Sequence, residues 1–166
     1  MSGLQELLEA AAGRARELAA AGMDARPRRR LAVLTCMDVR IDPLAMLGLR
    51  RGDAHVIRNA GGLVTDDAIR SLSASQRLLG TEEVLVVMHA RCGLQGASDD
   101  EFARGLRADG ASPDWTLGAF DDLDATLADG LARLRASPEL PAREHIRGVV
   151  FDPDTGALRE VEPPGG

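Results

Sequence analysis

The sequence predicts an α/β protein: a mostly parallel sheet with flanking helices and a C-terminal strand hairpin. Three observations predict it. Two short apolar runs, Leu31-Ala32-Val33-Leu34 and Val84-Leu85-Val86-Val87-Met88, have the length and the branched side chains of buried strands. Segments of helical periodicity separate the strands. The stretch 147–161 reads as strand, turn, strand, with Asp152-Pro153-Asp154-Thr155-Gly156 as its turn. Strands that alternate with helices imply parallel pairing. Right-handed crossovers then allow a sheet core of order 2-1-3-4, with the first and third strands side by side. Ligands of such sheets gather beyond the carboxyl ends of the strands, where the order switches.

In chain order, Ser2 and Gln5 form a candidate capping box. Leu4, Leu7, Leu8, Ala11, Ala15 and Leu18 follow on one helical face. The expectation is an N-terminal amphipathic helix over 1–22, stopped by Gly22. The arginine-rich stretch 26–30 leads into the first strand. Asp42-Pro43 starts a short helix or turn through Leu49, and 54–59 is the second strand. Gly61-Gly62 permits a tight backbone path close to a bound group, but does not make a dinucleotide fingerprint. Thr65 caps a helix that Gly80 ends. The third strand runs from about 83 to 89. Ser98 and Glu101 cap a short helix marked by Phe102 and Leu106, and Trp115 is expected to anchor the loop after it. Phe120, Leu123, Leu127, Leu131 and Leu134 mark the last helix. The terminal residues 163–166 are expected to fray.

A chain of 166 residues suits one domain, spanning 1–166. Aromatics are 2% of the sequence, so a stacking surface for single-stranded nucleic acid is not expected. The net charge of −6 argues against a general nucleic-acid binder. No apolar run reaches membrane-spanning length, and the N-terminus lacks a signal-peptide pattern. The expectation is a cytoplasmic protein with reduced thiols and no nucleic-acid or membrane partner.

The chemistry concentrates at two strand ends. Thr35-Cys36-Met37-Asp38-Val39-Arg40 follows the first apolar run. Cys36, Asp38 and Arg40 share one side if the chain stays extended, and Arg40 keeps Asp38 ionised. His89-Ala90-Arg91-Cys92 follows the other run. Both cysteines of the chain, and one of its three histidines, fall at these two ends. A phosphatase-type loop would place an arginine at position 42, which is Asp42, and no Cys-x-x-Cys is present. A Cys36–Cys92 disulfide or a buried cysteine with a local ion pair are the rival readings. Cys36, His89 and Cys92 together offer three ligands and leave a fourth position open, as catalytic zinc sites do.

Cys-x-Asp-x-Arg followed by His-x-x-Cys resembles the zinc signature of the β-class carbonic anhydrases, in their short prokaryotic branch. The stretch Gly52-Asp53-Ala54-His55-Val56-Ile57-Arg58-Asn59-Ala60-Gly61-Gly62 and the 148–158 tail are also similar to that family. The resemblance implies zinc held by Cys36, His89 and Cys92, with Asp38 and Arg40 as the catalytic pair. In a closed resting state Asp38 takes the fourth zinc position. The implied reaction is reversible hydration of carbon dioxide to bicarbonate and a proton, by attack of zinc-bound hydroxide. Ala60 and Gly61 are candidates for a small apolar substrate pocket. The resemblance also implies a homodimer or dimer of dimers, with the N-terminal helix on a partner. One departure is Ala90-Arg91, where the short branch often carries Thr-Asp. The alternatives are a carbonyl sulfide or carbon disulfide hydrolase on the same scaffold, and a non-enzymatic zinc-binding or redox-responsive protein. His55 is a weaker candidate for proton relay, and His145 for a surface position only. Arg58 and Asn59 are expected to organise the loop under the site.

Overall fold

A computed structural model describes residues 2–161. The expectation for 163–166 lies outside the described residues. The sheet has five strands in the order β2-β1-β3-β4-β5. They are β1 (Leu31–Cys36), β2 (Ala54–Asn59), β3 (Glu83–His89), β4 (Ile146–Phe151) and β5 (Leu158–Val161). The first four pair in parallel, and β5 returns antiparallel on β4. The expected order and the terminal hairpin are both present.

The position of each strand follows from its sequence. β1 is buried along nearly its whole length because it lies between β2 and β3 and is covered on both faces. Its one polar residue before Cys36, Thr35, is fully buried, and its hydroxyl donates to the Val87 carbonyl at 2.9 Å. β5 lies at the edge, and three of its four residues are exposed.

Six helices flank or precede the sheet: α1 (Gly3–Gly13), α2 (Ala15–Leu18), α3 (Pro43–Met46), α4 (Asp66–Leu79), α5 (Asp99–Ala108) and α6 (Leu123–Ala136). α4 begins where the Thr65 hydroxyl accepts from Ala68 N, and ends at left-handed Gly80. It buries Ala68, Ile69 and Leu72 toward β1 and β2. α6 buries Leu127, Leu131 and Leu134 over β3 and β4. Gly148 of β4 admits this helix closely: a Cβ there would lie 2.7 Å from Leu131. The two helices meet through the Arg133–Asp66 ion pair and so share one face of the sheet.

Four expectations need correction. The N-terminal helix over 1–22 is two pieces, because Arg14 leaves helical geometry between α1 and α2. Neither piece buries a residue, and Leu4, Leu7 and Leu8 are all more than half exposed. The capping box there is half formed: Ser2 Oγ accepts from Gln5 N, but the Gln5 side chain turns to Glu9. Trp115 does not anchor its loop in the core. It is 58% exposed, and its ring lies tilted against Phe102 at a centroid separation of 6.3 Å. Phe120 lies outside α6 and bridges to Gln95.

A tight turn at Ala60–Gly62 locks the carboxyl ends of β1 and β3 together. Gly62 has φ +68°, and a Cβ on it would lie 2.9 Å from Cys36 N and 3.0 Å from the Val87 carbonyl. The close approach expected for the glycine pair is thus to the strand backbones themselves. Gly62→Ala combines a left-handed penalty with a backbone collision, and should cost about 3 kcal/mol of stability. Urea unfolding measures it; a loss below about 1 kcal/mol would show that the turn gives way.

Candidate metal centre

The strand order places the end of β1 beside the end of β3, and the site forms where they meet. Cys36 is the last residue of β1, and His89 the last of β3. Cys92 lies on the short loop after β3. All three are buried, and their ligand atoms lie within 4.8 Å of one another. Both cysteines are free thiols, so the disulfide reading is not what this structure contains.

His89 carries the most telling atom. Its ring is fully buried, and Nδ1 donates to the Ala90 carbonyl at 3.1 Å. That bond leaves the lone pair on Nε2, the one buried side-chain polar atom without a hydrogen-bond partner among the described residues. A buried, unpaired ring nitrogen costs free energy unless something ligates it. With two thiols beside it, the donor set fits a soft or borderline divalent metal such as zinc. Burial pushes the His89 pKa down, so the imidazole stays neutral as a ligand must be. Burial pushes the Cys92 thiol up; a bound cation would draw its proton off.

Asp38 and Arg40 come together by a different route from the expected one. The strand stops at Cys36, and the chain turns at Val39 and Arg40. The alternation of an extended chain therefore ends at Cys36. Asp38 Oδ1 accepts from Arg40 N at 2.9 Å, an Asx turn that folds Arg40 back over the carboxylate. The guanidinium then grips both oxygens, Nε to Oδ1 at 2.9 Å and Nη2 to Oδ2 at 2.7 Å. Side-chain and then backbone hydrogen bonds from Arg40 hold Asp38 far below the usual carboxylate range. A depressed value means that the pairing contributes stability above the ordinary carboxylate pKa and loses it only as pH falls toward the depressed one. Asp38 is ionised throughout the neutral range, and its Oδ2 lies 3.7 Å from His89 Nε2.

Arg58 of β2 secures the loop from below. Its Nε donates to the Cys36 carbonyl at 3.0 Å and its Nη2 to the Asp38 carbonyl at 2.7 Å. Asn59 closes the turn beside it, exchanging hydrogen bonds with Leu63 N and O. These bonds are the loop-organising role expected of Arg58 and Asn59, and the parallel register of β1 with β2 brings Arg58 to the two carbonyls. Gly61 is buried next to Leu94 and Leu63, while Ala60 is partly exposed. His55 is remote from the site, opposite Ala32 in the register, and both its ring nitrogens are engaged, with Ser75 Oγ and the Ala25 carbonyl. Its role is structural. His145 is exposed.

Fold and site together define an α/β protein with a buried Cys-His-Cys cluster and an arginine-clamped aspartate at a strand-order switch. The family model for carbonic anhydrase matches residues 31–118. Beta-carbonic anhydrase 1 of Mycobacterium tuberculosis is 44% identical over 138 residues, covering 82% of this chain and 85% of that protein. A carbon disulfide hydrolase of Acidithiobacillus thiooxidans is 38% identical over 152 residues, covering 79% and 76%. The crystal structure of a carbonic anhydrase from Streptococcus mutans superposes with a TM-score of 0.88 at 39% identity, covering 98% of this chain and 99% of that one. The chain belongs to the β-carbonic anhydrase family of enzymes.

Proposed function

We propose that this chain hydrates carbon dioxide reversibly to bicarbonate and a proton, as a single domain, at a zinc ion held by Cys36, His89 and Cys92. The observation that carries the reading is the unpartnered Nε2 of His89, set between two buried thiols beside an ionised, clamped Asp38. When bound, zinc would acidify a water and neutralise the charge that develops as it attacks. The remaining work falls to the chain. Asp38, an acceptor only, takes a hydrogen bond from the attacking water and aims a lone pair at the substrate carbon. Arg40 keeps that carboxylate charged and in one orientation. We assign Ala60 and Gly61, the latter packed beside Leu94 and Leu63, to a small apolar pocket for the substrate. In a closed resting state Asp38 would leave Arg40 to help hold the metal.

A second reading, hydrolysis of carbon disulfide or carbonyl sulfide, is supported by the 38% identity to a carbon disulfide hydrolase. Stopped-flow hydration of carbon dioxide, run beside hydrolysis of both sulfur substrates, separates the two. The proposal requires hydration to be the fast reaction, and hydrolysis without hydration would replace it with the second reading.

The assembly we propose is a cytoplasmic homodimer or dimer of dimers. Among the described residues no helix is long and apolar enough to cross a membrane. Leu4, Leu7 and Leu8 of α1 are exposed, and so are Met37 and Val39, the latter 98%, on either side of Asp38. Apolar groups this open suit a surface that a second copy covers. Light scattering at micromolar concentration should give at least a dimer, and deletion of residues 2–20 should weaken it. A monomer, or a deletion without effect, would contradict the assignment.

The Asp38–Arg40 pair gives the sharpest mutational test. Asp38→Asn and Arg40→Ala should each retain zinc yet lose hydration roughly 10- to 100-fold. The double variant should lose little more than either single one, since the two act as a unit. In the wild type, activity should rise with pH, because the attacking water must lose a proton while Asp38 is already ionised. Near-normal rates in zinc-loaded single variants would reduce the pair to a structural salt bridge, and additive losses would separate their roles.

A further inference from the structure

Arg91 lies between His89 and Cys92, and its φ of +55° is in the left-handed region. Glycine takes that region freely, whereas arginine is strained there. The side chain gives the reason for an arginine. Its Nη2 donates to Asp152 and lies 3.0 Å from Asp154 Oδ2. Both acids belong to the turn that joins β4 to β5. Asp152 is itself fixed, accepting from Asp154 N at 3.1 Å and from Thr155 Oγ1 at 2.9 Å. Next to Arg91, Ala90 N donates to the Phe151 carbonyl at 3.0 Å, a second tie between this loop and the hairpin. On its other side, the Arg91 carbonyl accepts from Arg40 Nη2 at 2.9 Å. The same nitrogen donates to Asp38 Oδ2.

We propose that Arg91 is a positioning residue for the Asp38–Arg40 pair. Its side chain anchors the loop to the Asp152–Asp154 turn, and its left-handed backbone presents the carbonyl that holds Arg40 in place. The inference rests on the hydration reading and extends it to the hairpin turn between β4 and β5. The contacts run in one line: Asp152 and Asp154 fix the Arg91 side chain, the Arg91 carbonyl fixes Arg40, and Arg40 fixes Asp38. Arg40 Nη2 has two acceptors, and the loss of one frees the guanidinium to swing from the carboxylate. Arg91 is half exposed. A plain surface ion pair at such a position would add a little stability and leave turnover alone.

Three variants separate these accounts, with zinc content and melting temperature measured in each. Arg91→Gly keeps the left-handed backbone and removes the anchor. The double variant Asp152→Asn/Asp154→Asn removes the far end of the anchor, and Arg91→Lys restores a cation. Arg91→Gly should hold full zinc and keep KM for carbon dioxide, while kcat falls roughly five- to tenfold. The Asp152→Asn/Asp154→Asn protein should fall similarly, and Arg91→Lys should recover part of the loss. In an Arg40→Ala background, Arg91→Gly should cost nothing further, because Arg91 acts through Arg40. A crystal structure of zinc-loaded Arg91→Gly should show Arg40 no longer gripping both oxygens of Asp38. A full kcat with a lowered melting temperature would overturn the proposal. So would an undiminished loss in the Arg40→Ala background, or an unchanged Arg40 in the crystal. A wild type inactive on carbon dioxide would instead sink the hydration reading, and the position of Arg40 in that crystal would still decide the role of Arg91.

Discussion

Parallel pairing of β1 with β3 is the constraint on which everything else depends. The chain reaches β2 from β1 on one side, then crosses back to lay β3 on the other. Cys36 and His89 are far apart in sequence, yet the pairing of Thr35 with Val87 sets them at neighbouring strand ends. Nothing local could do this, because each strand carries only part of the ligand set. Gly62 fits into the notch between the same two ends, against the backbone of Cys36 and Val87. The metal centre, the tight turn and the buried Thr35 bond all follow from one register.

Around that register, arginines do the fastening. Arg58 holds the carbonyls of Cys36 and Asp38, Arg40 holds the Asp38 carboxylate, and Arg91 reaches the β4–β5 turn. The planar, many-donor guanidinium suits such work, since one side chain can serve two acceptors at fixed angles. These contacts are only partly shielded from water, so each alone adds little stability. Their effect is orientation. An aspartate that must aim a lone pair at one point gains from being held at both oxygens and from a holder that is itself held.

The sheet was legible in the sequence because its strands are apolar runs with strand length, and because crossover handedness leaves few orders to choose from. The cluster of Cys36, His89 and Cys92 was legible through residue type: rare, metal-loving side chains at two strand ends. Asp38 and Arg40 were legible as a pair but not in their geometry, since an Asx turn and an extended strand fit the same five letters. The break at Arg14 was hidden because the apolar spacing runs straight through it, and spacing carries no record of what a helix packs against. Trp115 is a related case: size alone suggests burial, but the ring stays more than half exposed against Phe102. The grip of Arg91 on Asp152 and Asp154 joins residues some sixty positions apart and leaves no periodic trace.

The proposed site holds one zinc ion between Cys36, His89 and Cys92, with a fourth position left for the chemistry. Zinc-edge X-ray absorption on the purified protein, with metal content counted, tests it most directly. The expected result is about one zinc per chain, with two sulfur neighbours at about 2.3 Å and two nitrogen or oxygen neighbours at about 2.0–2.1 Å. A zinc with fewer than two sulfurs, or full zinc retained when both Cys36 and Cys92 are replaced by serine, would contradict it.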